Sequence, residues 1–235
     1  MSKFLRLPIL AYGALAARCK RLAAVWCVAL WAAVGIAHAE PVTILALGDS
    51  LTQGYGLPVE DGLVPQMQKW LAANGHDAVV LNAGVSGDTT AGGLSRVEWS
   101  LTDRVDAMIV ALGGNDLLRG IDPANSRANL RGILEVAKAH NLPVLLIGLP
   151  APGNYGPDYK RDFEAMYVDL AAEFDTLLVR DMLGPITGAD GAASGRMQTD
   201  LLQPDRIHPN AEGVKRIVEA LGPEVVKLIA RMPQR

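Results

Sequence analysis

Residues 42–56 read VTILALGDSLTQGYG, and the parsing of this stretch decides the fold. Val42 to Leu47 is an apolar run rich in β-branched residues, the pattern of a buried strand. Gly48 and Asp49 break the run and Ser50 follows at once, so a hydroxyl stands at the carboxyl end of a strand. In open α/β sheets that edge is where ligands bind. Gly48 allows a sharp turn without a Cβ clash, which lets the serine stand clear of the strand. Taken alone, the same residues also fit a plain turn in which Asp49 or Ser50 caps the next helix. The rest of the chain has to decide between the two.

Downstream, short apolar runs alternate with helical patterns. Val64, Met67, Trp70 and Leu71 recur at helical spacing, and Asn74-Gly75 closes that helix. Ala78–Leu81, Ala107–Leu112, Pro143–Leu149 and Thr176–Val179 read as four further strands. Asp122-Pro123 supplies an N-cap with proline at the first helical position, ahead of a buried face of Leu130, Ile133, Leu134 and Ala137. Phe163, Met166, Tyr167, Leu170 and Phe174 mark another helix. Val214, Ile217, Val218 and Leu221 mark the last, which Gly222-Pro223 is expected to break before Arg231. Strands and helices alternating at this pace predict right-handed βαβ units and one parallel sheet with helices on both faces. Together with the polar residues that follow the strands, the expectation is a doubly wound, flavodoxin-like α/β domain with a five-stranded parallel sheet of order 2-1-3-4-5. The stretch from Gly184 to Thr199, rich in Gly, Ala and Ser, reads as an irregular loop.

Upstream, residues 1–39 do not fit that scheme. Lys3, Arg6, Arg18, Lys20 and Arg21 carry five positive charges with no acid among them, an apolar run extends from Leu22 to Ala37, and the segment closes on Ala37-His38-Ala39. Basic start, short apolar core and small-residue cleavage site together describe an export signal cut after Ala39. The run falls short of the ~18 apolar residues of a membrane span, so the expected product is periplasmic or secreted, without a stable membrane anchor. Both cysteines, Cys19 and Cys27, lie in this segment, so the domain from Glu40 to Arg235 has neither a disulfide nor a thiol nucleophile to use. Without the five cations, the 22 basic residues fall to 17 against 25 acidic ones, a net charge of −8. An acidic domain argues against nucleic acid as a partner.

Laid on the predicted strands, the polar residues fall on one edge. Strand one leads into Gly48-Asp49-Ser50, strand two into Asn82-Ala83-Gly84, strand three into Gly113-Gly114-Asn115-Asp116, and strand four into a loop with Asn154 and Tyr155. Asp205-Arg206-Ile207-His208 comes just before the last helix. A serine, an Asp-His pair and two candidate oxyanion donors from separate segments make catalysis the stronger reading. His76 follows Asn74-Gly75 and His140 ends a helical run, positions where histidine serves a helix C-terminus. Asp49 and Asp116 read as loop hydrogen-bonders, and Asp88-Thr89 as a helix cap. No G-x-S-x-G pentapeptide occurs. A metal-dependent phosphoesterase would want several imidazoles, and only His208 lies near the acids. A non-catalytic binding module on this fold stays open, since fold alone does not give function.

GDSL at 48–51, NAGVSGDTT at 82–90, GGND at 113–116 and DRIHPN at 205–210 resemble, in order and spacing, the four blocks of the SGNH, or GDSL, hydrolase family. The resemblance spans residues 42 to 230 and is nearest to the secreted thioesterase/lysophospholipase/arylesterase branch. It implies Ser50 as nucleophile, His208 as general base and Asp205 as its orienting partner, roles that suit a hydroxyl activated by an imidazole held in one tautomer. It further implies an oxyanion hole made by the N–H groups of Ser50 and Gly84 and the amide of Asn115. Leu117, Leu118, Leu149, Pro150 and Tyr155 would edge the cleft for an acyl ester or thioester. The chain reads APGNYGPDY after Pro150 where that branch has a shorter loop, so Pro152 and Gly153 alter this wall. The implied enzyme is a monomer that uses no cofactor. Glycan acetyl esters, cleaved by other branches, are the alternative substrate class.

Overall fold

In the computed structural model, residues 40–187 and 198–232 are described. The expected export signal and the middle of the Gly/Ala/Ser-rich stretch lie outside them. Five strands, β1 (Val42–Gly48), β2 (Ala78–Gly84), β3 (Ala107–Ala111), β4 (Val144–Ile147) and β5 (Leu177–Val179), form one sheet of order β2-β1-β3-β4-β5. Every neighbouring pair is parallel. This is the predicted order, with β1 at the switch point between chain directions.

Side-chain parity along the strands explains the layering. Ile44 and Ala46 of β1 point with Ile109 and Leu145 into one core, where α2 (Leu63–Ala73) and α7 (Ala211–Ala230) cover the sheet through Met67, Leu71, Ile217 and Leu221. Leu45 and Leu47 point with Met108, Val110 and Leu146 into the other, covered by α3 (Thr90–Ser100), α5 (Pro123–Ala139) and α6 (Pro157–Phe174). Both faces of β1 and β3 are therefore apolar, which is why these strands read as continuous hydrophobic runs. Each fully buried Leu, Ile or Phe contributes about 1.5–3 kcal/mol. Two helices of four and five residues, α1 (Ser50–Gln53) and α4 (Gly114–Leu118), begin directly beyond β1 and β3. Among the described residues no helix is long and apolar enough to cross a membrane.

Strands β3, β4 and β5 are one to three residues shorter than expected, and two further boundaries are corrected. Helix α7 does not break at Gly222-Pro223 but runs through Pro223 to Ala230. Proline gives up one helical hydrogen bond, while the turns beyond it bury Val225 and Leu228 completely, which outweighs that loss. Strand β2 does not end at Leu81 but continues to Gly84, paired in register with Gly48. This second shift changes the reading of the site.

Candidate active site

The carboxyl edge of the sheet is assembled from four loops. Asp49 is the N-cap of α1, its Oδ1 accepting from Leu51 N at 3.0 Å. Ser50 thereby takes the first helical position, where its own N–H has no partner within the helix. A Cβ on Gly48 would lie 2.0 Å from Thr52 Oγ1, so only glycine lets α1 fold back this tightly over the strand end.

The segment before α7 carries the acid and the imidazole. Arg206 adopts φ 59°, turning the chain so that Asp205 and His208 face each other. Asp205 Oδ1 accepts from the N–H groups of Ile207 (2.9 Å) and His208 (3.0 Å), and Oδ2 lies 2.6 Å from His208 Nδ1. The hydrogen bond from His208, aided by those two N–H groups, holds the Asp205 carboxyl down at about 2. With Nδ1 donating to this anion, Nε2 is left as an acceptor, and it lies 2.9 Å from Ser50 Oγ, 158 residues away in the chain. The ring of Tyr55 lies 4.8 Å from that of His208, tilted by 43°. Gln203 Nε2 donates to the carbonyls of Tyr55 (2.8 Å) and Pro209 (3.0 Å), tying the loop after α1 to the histidine segment. An imidazole held this way can take a proton from the serine hydroxyl.

Of the expected oxyanion donors, Ser50 N–H and one Asn115 amide hydrogen have no partner among the described residues, whereas the N–H of Gly84 is taken. Asn115 sits in α4, and one of its amide hydrogens goes to Asp88 O at 2.9 Å, leaving the other. Gly84 N–H donates to Asn82 Oδ1 at 2.9 Å. Its Cα packs so closely on α1 that a Cβ would come 2.2 Å from Gln53 N. Gly84 is thus glycine because two backbones touch there. Three residues on, Gly87 adopts φ 85° in the loop proper, and its N–H has no partner among the described residues. Both glycines stood in NAGVSGDTT, and the choice between them needed the true end of β2.

The expected acyl wall divides. Leu117 and Leu149 are partly buried and packed against the two cores, so neither lines an open cleft with much of its surface. Leu118 (63% exposed), Tyr155 (43% exposed) and Pro150 remain at the surface. Tyr155 Oη donates to Leu118 O at 3.4 Å, and its ring lies 4.9 Å from that of Tyr159. The enclosed space beside Ser50, between Tyr55, Leu57, Met182 and His208, is only about 10 Å³. That is room for about one water, while Leu118, Pro150 and Tyr155 lie exposed at the surface.

Asp116, Asp88 and His140 have partners within the fold. Asp116 is fully buried and accepts from Thr90 N (2.8 Å), Thr90 Oγ1 (2.6 Å) and Ser126 Oγ (2.7 Å). Thr89 caps α3, whereas Asp88 pairs with Arg96 at 2.6 Å. His140 is the C-cap of α5 and meets Glu98 at 3.0 Å. Among the described residues no group of three or more His, Cys, Asp or Glu side chains is placed to hold a metal ion.

Residues 46–216 match the GDSL-like Lipase/Acylhydrolase family. Esterase TesA of Pseudomonas aeruginosa is 38% identical over 193 residues, 82% of this chain and 92% of that protein. Thioesterase 1/protease 1/lysophospholipase L1 of Escherichia coli strain K12 is 33% identical over 189 residues, 80% and 85% of the two chains. Among solved structures, AlinE4, described as an SGNH-hydrolase family esterase, superposes with a TM-score of 0.66 at 43% identity, covering 81% of this chain and 98% of that one. A psychrotrophic esterase, EstA from Pseudoalteromonas sp., described as inhibited by monoethylphosphonate, superposes with a TM-score of 0.72 at 30% identity, covering 80% and 99%.

Proposed function

The chain belongs to the GDSL-like lipase/acylhydrolase family, and from that membership we propose that it is an exported serine esterase cleaving acyl esters and thioesters through an acyl-enzyme. One observation carries the reading: Ser50 Oγ, His208 Nε2, His208 Nδ1 and Asp205 Oδ2 form a continuous line at 2.9 and 2.6 Å. Ser50 Oγ attacks the substrate carbonyl while its proton passes to His208 Nε2. Anionic Asp205 orients the ring and stabilises the imidazolium that forms. The oxyanion is received by Ser50 N–H, Gly87 N–H and Asn115 Nδ2, donors fixed before the substrate arrives. His208 then protonates the leaving alcohol or thiol, and a water deprotonated by the same nitrogen releases the acid. Names of the relatives, esterase and thioesterase/lysophospholipase, support both ester classes. The basic, apolar and Ala-x-Ala features of residues 1–39 support export and release after Ala39.

The test exploits a tetrahedral phosphorus reagent, which only an activated serine attacks. After exhaustive chelator treatment the protein from Glu40 onward keeps its esterase activity, and a fluorophosphonate then abolishes it with one adduct per chain, on Ser50. Neither Ser50→Ala nor His208→Ala labels at a comparable rate. Activity lost to the chelator and restored by a divalent metal would overturn the serine mechanism.

A further inference from the structure

The loop that carries Gly87 leaves the sheet after the bond from Val85 N to Gly48 O (3.0 Å). Beyond it Gln53 Oε1 accepts from Ser86 N (3.0 Å) and Arg119 Nη2 donates to Gly87 O (2.9 Å), which leaves the Asp88 side of the turn to be held against Ser50 and Asn115. Arg96, on α3, provides a connection no motif announces. Its guanidinium, only 21% exposed, donates to three acceptors on separate segments: Gly48 O through Nη2 (2.9 Å), Ala83 O through Nη1 (2.8 Å) and Asp88 Oδ2 through Nε (2.6 Å). Gly48 stands two residues before Ser50, Ala83 near the end of β2, and Asp88 directly after Gly87. The carbonyl of Asp88 in turn accepts from Asn115 Nδ2. We propose that Arg96 is a positioning residue for the oxyanion hole, holding the Gly87–Asp88 turn, and through it Asn115, against the strand end that presents Ser50.

The proposal rests on the serine-esterase reading and adds to it the group that aligns its donors. Pairing of Gly48 with Gly84 already fixes the two strand ends, so the carbonyl bonds alone would make Arg96 redundant. Its third bond reaches past the ladder to Asp88. Thr89 performs the helix cap, which leaves the Asp88 carboxylate for the guanidinium. That carboxylate lies over Gly92, where a Cβ would come 2.6 Å from Asp88 Oδ1. A planar fork with five donors suits three divergent acceptors, and a lysine ammonium does not replace it.

Steady-state kinetics of Arg96→Met, Arg96→Lys, Asn115→Ala and Arg96→Met/Asn115→Ala test this, with rates counted per fluorophosphonate-titrated site. Arg96→Met lowers kcat by roughly 10- to 100-fold, the scale of a misplaced catalytic group, with KM within about 3-fold. Arg96→Lys recovers only part of the loss. The double variant is slower than Asn115→Ala by clearly less than the single Arg96→Met loss, because one of the two donors that Arg96 aligns is already gone while Gly87 remains. Should Arg96→Met not fold, Asp88→Asn, which weakens one arm of the fork, is read against Asn115→Ala in the same cycle. Losses that multiply in the double variant, or a lowered Tm with unchanged kcat per site, would overturn the proposal. Full activity of Ser50→Ala would instead overturn the parent reading.

Discussion

The ring of Tyr55 packs 4.8 Å from the imidazole of His208, while the backbone carbonyl of Tyr55 accepts from Gln203. A residue just beyond α1 thus forms a side wall for the imidazole of His208. Tyr55→Ala removes that wall and keeps the carbonyl bond. An aromatic contact of about 0.5–1.5 kcal/mol corresponds to a loss of roughly 2- to 10-fold in kcat, with Tyr55→Phe near the parent value. Equal loss in both variants would place the effect in the hydroxyl rather than in the packing.

Asn115→Ala keeps the fold and lowers kcat by roughly 10²- to 10³-fold, the usual loss for one oxyanion donor. KM changes little, because the bond strengthens only as the oxyanion forms. Near-full activity would leave Asn115 as the partner of Asp88 O and nothing more.

Asp49, 4% exposed, has its carboxyl pushed up to about 6, chiefly by burial. The native state therefore binds more protons than the unfolded chain between about pH 4 and 6, and stability falls as pH rises through that window. Above it the full penalty remains, on the order of 3 kcal/mol. In the Asp49→Asn variant the side-chain amide oxygen still accepts from Leu51 N but carries no charge to desolvate. Asp49→Asn therefore gains Tm relative to the parent as pH rises from 4 to 7, and a difference independent of pH would contradict this. Asp205 runs the other way: held down at about 2, it stabilises the fold above the ordinary carboxylate range, and that contribution is lost as pH falls through about 2. The two effects occupy separate pH ranges in thermal melts.

Exposure of the expected acyl-contact residues also limits selectivity. Full burial of a methylene is worth about 0.8 kcal/mol, or roughly 4-fold. A chain lying against Leu118 and Tyr155, both substantially exposed, gains less at each step. Values of kcat/KM for neighbouring acyl lengths are expected to differ by less than about 4-fold, and Leu118→Ser to flatten the series further. A sharp optimum would contradict this expectation, and activity confined to acetyl esters would favour a glycan deacetylase.

Much of the molecule was legible in the chain itself. The apolar runs of β1 and β3 are buried on both faces, so their hydrophobicity is continuous and their position unambiguous. Ser50 and the Asp205–His208 pair stand in short local motifs whose residue types already match the chemistry. The last turns of α7 and the end of β2 were not legible. Helix continuation through Pro223 depends on what Val225 and Leu228 bury, and the reach of β2 depends on its partner: Asn82, Ala83 and Gly84 have no strand character until β1 pairs with them.

Sequence alone determined the alternation of strands and helices and the edge at which polar groups gather, and its resemblance to a known family singled out Ser50, Asp205 and His208 as candidates. The first two follow from periodicity, and the candidates stand in motifs a few residues long. Tertiary structure decided which glycine keeps an N–H without a partner among the described residues, which leucines stay exposed, and that Tyr55 and Arg96 lie against the segments that carry His208 and Ser50. Those outcomes depend on strand register and on side chains reaching between segments far apart in the chain. Arg96 meets Gly48 across 48 positions only because β1, β2 and α3 have already packed.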